Sequence, residues 1–139
     1  MECIYCRSET TKVLNTRHQR RSNYIWRRRH CLACEAVFTT IERPELATAM
    51  TVEQRPGGEL QPFSRDRLFM SIYTSCSHRP NAIEDATAIT QTVIDKTLSA
   101  GASGVIPKDR IIILTHHVLR HFDRAAATHY KAHHPAPSR

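Results

Sequence analysis

From residue 64 onward, apolar residues return every three or four positions, the spacing of helices with one buried face. Ser64 can cap a first helix whose apolar side holds Leu68, Phe69, Ile72, Tyr73 and Cys76. Pro80 ends it or separates it from the next. The second helix carries Ile83, Ala86, Thr90, Val93, Ile94 and Thr97 or Leu98 at helical spacing, and the stretch from Ser99 to Gly104, SAGASG, breaks it. Pro107 fits the first turn of a third helix, with Asp109 near the positive end of its dipole. Ile111, Leu114, Val118, Leu119 and Phe122 form that helix's expected buried stripe. A last helix is predicted from about Arg124 to His133 on the strength of its Ala-rich start, and residues 135–139 read as a disordered tail.

Before residue 64 the pattern changes to that of short strands. The run from Thr51 to Phe63, TVEQRPGGELQPF, reads as two strands around a Pro-Gly-Gly turn, and Pro44 opens a short linker ahead of it. Nearer the N-terminus, KVLNTRHQRR reads as a strand and its turn, and SNYIWRRRH as a second strand running into a cysteine pair. Alternation along that second strand puts Ile25, Arg27 and Arg29 on one face, and Trp26, Arg28 and His30 on the other. The expected fold class is α+β: a small β module over residues 1–43, then a mainly helical domain over residues 50–134 with a hairpin and about four helices.

The β module is too short to fold on apolar burial alone, and its cysteines supply the remedy. Cys3-x-x-Cys6 and Cys31-x-x-Cys34 are two identical knuckles, and two-residue spacing lets both sulfurs of each turn toward one ion. Together they make the four-sulfur set that one structural zinc favours, worth on the order of 10–16 kcal/mol in small peptides. An iron–sulfur cluster takes the same ligands, but paired knuckles in a small basic module point to zinc. Four protein thiolates leave no open position for water, so catalytic zinc is excluded. Cys76, in an apolar context, reads as a buried inert thiol.

Charge sharpens the picture. Of a formal net charge of +7, residues 1–43 hold nine Lys and Arg against four Asp and Glu. Residues 17–29 contain six arginines and no lysine. Lysine would serve solubility as well; arginine suits phosphate oxygens and guanine edges, which accept paired N–H donors. Arg17, Arg27, Arg28 and Arg29 are therefore the DNA-contact candidates, with Arg20 and Arg21 nearby.

These residues carry a resemblance. The stretches CIYC, IWRRRHCLACEAVFTTIER, PFSRDRL and CSHRP resemble the NrdR family, bacterial transcriptional repressors of ribonucleotide reductase genes built from a zinc ribbon and an ATP-cone. Matching positions in the ribbon are Arg27, Arg28, Arg29, Cys31, Cys34, Phe38, Thr39, Thr40 and Glu42, while Val37 replaces the family's usual arginine. In the second domain Phe63, Arg65, Arg67 and Leu68 fit one family motif and Cys76, Arg79 and Pro80 another, with Arg67 and His78 standing where lysines are usual. The hairpin departs most: Gly58 is kept, Arg55 aligns with the family lysine, and Pro56-Gly57 replaces an Arg-Asp pair. Near the C-terminus Ala127-Thr128-His129-Tyr130 replaces a Tyr-x-Arg-Phe. The resemblance implies that the second domain binds ATP or dATP, with Arg55, Arg67, His78 and Arg79 as candidates, and that the nucleotide controls a homo-oligomer on double-stranded operator DNA with repeated half-sites. A second reading is a zinc ribbon associated with RNA or RNA polymerase whose cone binds no nucleotide.

An enzyme is not expected. There is no Walker-type phosphate loop and no carboxylate cluster for magnesium, and the histidine pairs His116-His117 and His133-His134 lack a spaced acidic or cysteine partner. No apolar run approaches the ~20 residues that span a bilayer, and the N-terminus lacks a signal-peptide core, so the expected location is cytoplasmic.

Overall fold

Three antiparallel strands, β1 (Thr11–His18), β2 (Ile25–Cys31) and β3 (Val37–Glu42), form one sheet in the order β1-β2-β3. They belong to the first of two units, Met1–Pro44 and Glu45–Arg139, in a computed structural model that describes residues 1–20, 23–99 and 104–135. Arg21 lies outside the described residues, as do positions 100–103 of the expected helix break and positions 136–139 of the expected tail.

Register fixes what each face of this sheet displays. Trp26 pairs with Arg17 and Ile41, Arg28 with Asn15 and Thr39, and His30 with Lys12 and Val37, and directly paired residues share a face. The opposite face carries Ile25, Arg27 and Arg29, as alternation predicts, with Thr40 and Phe38 beside the arginines. The register of β1 shifts between Val13 and Asn15, leaving Leu14 as an extra residue. Such a bulge reverses the alternation beyond it. Lys12 and Arg17, five positions apart, therefore lie on the same face. The buried apolar cluster of the unit is Cys3, Cys31 and Phe38.

In the second unit, Leu46–Ala49 forms a one-turn helix, α1, where a linker was expected. The Glu45 carboxylate accepts from the Ala47 N–H at 3.0 Å and so caps it. Strands β4 (Thr51–Glu53) and β5 (Leu60–Pro62) form the expected hairpin. Gly57 sits at φ +68° in its turn, where its N–H donates to the Glu53 carboxylate at 2.8 Å. A third strand, β6 (Val105–Pro107), pairs parallel with β4 and was not expected. Three residues are too few to show an alternating pattern.

Helices α2 (Arg65–Cys76), α3 (Ala82–Ser99), α4 (Lys108–Phe122) and α5 (Arg124–His133) complete the unit, the last with the bounds read from the sequence. Ser64 caps α2 as expected, its Oγ accepting from the Arg67 N–H at 3.2 Å. Pro107 ends β6 and precedes α4 rather than lying in its first turn. Two apolar faces also differ from expectation. In α3, Ile83 is 59% exposed and Ile89 is buried instead. In α4 the buried residues are Ile112, Thr115 and Leu119, with Ile111, Leu114 and Val118 at the margin of the core. Phe122 is 42% exposed and lies under the Arg79 guanidinium, 4.6 Å from its ring centroid. Three consecutive isoleucines at 111–113 leave the phase of the stripe ambiguous, and Thr115 conceals it further. Its hydroxyl donates to the Ile111 carbonyl at 2.7 Å, so a residue that reads as polar sits in the core with its hydrogen bond made.

Arg79 joins three elements at one corner. Its Nε lies 2.7 Å from Asp85 in the first turn of α3, and its Nη1 lies 2.9 Å from Asp123 between α4 and α5. His78 reaches the same Asp123 oxygen at 3.2 Å. The Ala126 backbone N–H and the Arg79 guanidinium hold the Asp123 carboxyl down at about 2.

Two predictions follow from these contacts. Ile89→Ala should lower the stability of the second unit by about 3 kcal/mol in urea unfolding, against less than about 0.5 kcal/mol for Ile83→Ala. Because the Asp123 pKa is depressed on folding, its contribution is complete above about pH 4 and is lost as pH falls toward about 2. The loss amounts to about 2 kcal/mol. Asp123→Asn should flatten that part of the stability–pH curve, measured as urea midpoints across the acid range.

Candidate metal centre and nucleic-acid face

Each cysteine knuckle is built the same way. The Cys3 N–H donates to the Ser8 carbonyl at 2.8 Å, and the Cys31 N–H to the Ala36 carbonyl at 2.9 Å, closing equivalent turns. The residue after the second cysteine of each takes a left-handed conformation, Arg7 at φ +61° and Glu35 at φ +60°. Such backbone costs about 1 kcal/mol per non-glycine residue and persists only where its surroundings enforce it. Nothing in the residue types marks these positions, because glycine is the usual occupant.

These turns gather Cys3, Cys6, Cys31 and Cys34, whose sulfurs all lie within 4.8 Å of one another. Cys3 Sγ is 3.7 Å from Cys34 Sγ, and Cys6 Sγ is 3.6 Å from Cys31 Sγ. Sulfurs at about 2.3 Å from a tetrahedral zinc stand about 3.8 Å apart, so the set fits that ion. Electrostatics points the same way. The Cys34 N–H holds the Cys31 thiol down at about 6, and the Cys6 N–H likewise lowers Cys3. The Ala36 N–H pulls on Cys34 too, but the adjacent Cys6 sulfur and burial prevail and push it up to about 12. Sulfurs this close refuse to ionise together until a cation lies among them. The four cysteines suit one structural zinc, which would tie the N-terminal loop to β2 and supply no reactive position.

The arginine candidates separate into two groups. Arg27 Nε bonds the Glu42 carboxylate at 3.0 Å, and Arg29 Nε donates to Thr40 Oγ1 at 3.2 Å, both on the face that carries Phe38. Arg17 and Arg28 lie on the other face with Lys12, and among the described residues neither arginine side chain has a hydrogen-bond or ion-pair partner. Among the described residues in register on that face there is no carboxylate. The bulge at Leu14, which sequence reasoning missed, is what unites Lys12, Arg17 and Arg28.

Within the second unit, a cleft of about 230 Å³ has Val52, Phe63, Leu68 and Ile112 in its lining. Arg67 lines it, held by Gln61 through an Nη1–Oε1 contact of 3.3 Å, and Lys108 faces it from the start of α4. His134 also lines it, its pKa lowered by burial and then by Lys108. Sequence reasoning missed Lys108 and His134, since a lone cation at a helix start and a histidine near the chain end carry no motif. Arg55 is exposed in the hairpin turn. His78 and Arg79 do not line the cleft; both hold Asp123 instead. Among the described residues no helix is long and apolar enough to cross a membrane.

A four-thiolate ribbon with a basic sheet face, followed by a hairpin-and-helix unit with its own cleft, defines a two-part zinc-ribbon protein. Residues 1–42 match the family model of the transcriptional repressor NrdR-like N-terminal domain. Over longer stretches the chain is similar to proteins named transcriptional repressor NrdR. It is 32% identical to that of Heliobacterium modesticaldum over 126 residues, covering 91% of this chain and 81% of the relative. Against that of Tropheryma whipplei the identity is 31% over 120 residues, covering 86% and 78%. Against that of Bifidobacterium longum it is 34% over 105 residues, covering 76% and 68%. The chain belongs to the NrdR family of transcriptional repressors, whose members are named as repressors and not as enzymes.

Removing the metal should therefore act on one unit alone. A chelator should abolish the β-sheet signal of the first unit and leave the helical unfolding transition of the second in place, with one zinc released per chain in a colorimetric assay. Cys31→Ser should reproduce that state without chelator.

Proposed function

We propose that the chain represses ribonucleotide reductase genes by binding double-stranded operator DNA with its zinc-ribbon unit, under the control of ATP or dATP bound by the second unit. The observation that carries this reading is the sheet face on which Lys12, Arg17 and Arg28 stand together without a carboxylate. Arg17 and Arg28 are free to pair with phosphate oxygens or guanine edges. Arg27 and Arg29, already bonded to Glu42 and Thr40, stiffen the strand and meet DNA only at its edge.

One ribbon offers too few contacts for a tight site, since specific interfaces bury about 1,000 Å² or more. Pairing of ribbons within a homo-oligomer supplies the rest and requires repeated half-sites. On this reading the nucleotide's base lies over the apolar lining of the second unit's cleft and its phosphates face Arg67 and Lys108, both of which line it. Arg55, exposed in the hairpin turn, is a further phosphate candidate on this reading, while His78 and Arg79 act indirectly by fixing the α2–α3–α5 corner through Asp123. A nucleotide regulates such an assembly only by binding one oligomeric form more tightly than another. The site of action is the cytoplasm, where operator DNA and both nucleotides meet.

Gel-shift measurements on DNA upstream of the ribonucleotide reductase genes, with and without ATP and dATP across a potassium chloride series, test the reading. Affinity should fall steeply with salt, and Arg28→Ala should reduce the log–log slope by about 0.9, the loss of one phosphate contact. No shift by zinc-loaded protein under any nucleotide condition would overturn it.

A further inference from the structure

The face that carries Lys12, Arg17 and Arg28 also carries Trp26, the chain's single tryptophan. Trp26 sits on the central strand, half-buried, with Arg17 beside it on β1 and Ile41, 54% exposed, beside it on β3. It joins neither buried apolar cluster; the first unit packs Phe38 with Cys3 and Cys31 instead. None of the residues in register on Trp26's face is buried. A partly covered aromatic ring is thus held on a rigid strand, among cations, outside both buried clusters of the described residues.

Duplex DNA supplies phosphates for the cations but no open base face for the ring to stack on, because the faces of paired bases are covered by their neighbours. An unpaired nucleotide supplies both. Its base can be splayed onto an aromatic ring, and its flanking phosphates lie within reach of cations on neighbouring strands about 4.8 Å apart. Sheet-borne aromatics beside arginine and lysine are a general solution for single strands, since every base has a stacking face.

We propose that this face binds unpaired nucleotides, with a base stacked on Trp26 and the adjoining phosphates on Arg17, Arg28 and Lys12. The ligand class is a single strand, DNA or RNA. This rests on the reading that the zinc-ribbon unit binds nucleic acid through this face, and it adds a preference for strand state that a duplex-binding repressor does not need.

The full-length, zinc-loaded protein tests it directly, because all tryptophan emission comes from Trp26. Oligothymidylate, oligouridylate and a blunt duplex of equal length are titrated in turn while that emission is followed. Single strands should quench the emission and the duplex should not, and the DNA and RNA arms decide which source is preferred. Trp26→Ala should weaken single-strand binding about tenfold and leave duplex binding little changed, while Trp26→Phe keeps most of the single-strand affinity. Arg28→Ala should weaken both polymers alike. Binding of the variants, which lack this emission, is read by anisotropy of a labelled strand. Zinc content reports whether the ribbon is folded, and Trp26→Leu, which fills the space without a stacking face and should also weaken single-strand binding, carries the test if the alanine variant loses its metal. Duplex binding with equal quenching by both polymers, or single-strand affinity indifferent to Trp26→Ala, overturns the stacking platform while the operator reading stands. Failure of every polymer to bind overturns both.

Discussion

Four sulfurs drawn to one end of a three-stranded sheet are the constraint on which the first unit depends. Its buried cluster is one phenylalanine and two of the four gathered cysteines, far less apolar surface than a chain of this length needs to fold. The knuckle turns spend backbone strain at Arg7 and Glu35 to aim the thiols inward. Those thiols are close enough to oppose each other's ionisation, and a cation among them would relieve that opposition. Metal binding in small ribbons, on the order of 10–16 kcal/mol, exceeds both costs. With stability supplied from one end, the sheet is released from having to bury its other face.

That release decides what the arginines can do. A sheet with a conventional core would cover one face and leave the second to solvent. Here one face takes Phe38 together with the paired Arg27–Glu42 and Arg29–Thr40 side chains, and the other holds cations around Trp26 that have no partner among the described residues. The bulge at Leu14 completes the arrangement by turning Arg17 to the side of Lys12 and Arg28. Charge on this unit is therefore sorted as well as concentrated. The second unit uses its ions differently: Arg79 is consumed in joining α2, α3 and the corner before α5, and Arg67 and Lys108 remain for the cleft.

Much of this was legible in the residues. Spacing alone identified the four cysteines that the fold gathers, and alternation along β2 separated Arg27 and Arg29 from Arg28. Ser64 marked the start of α2, and the bounds of α5 followed from its Ala-rich start. The misses have physical causes. Thr115 is core because its hydroxyl bonds within its own helix, which no hydropathy pattern reveals. Ile83 and Phe122 are apolar yet outward, the latter serving as a platform for Arg79. β6 is too short to alternate, and a bulge is a property of strand pairing, invisible in either strand alone. The ion pairs of His78 and Arg79 were likewise hidden, because their partners, Asp85 and Asp123, come close only after folding.

The direct test of the clamp is to strip the full-length protein of metal and return zinc in substoichiometric steps while DNA binding is read by fluorescence anisotropy. The account predicts that DNA affinity is lost on stripping and recovers in proportion to zinc, complete at one equivalent per chain. Stripped protein that grips DNA with undiminished affinity would contradict it, since the basic face would then hold its shape without the four-sulfur centre.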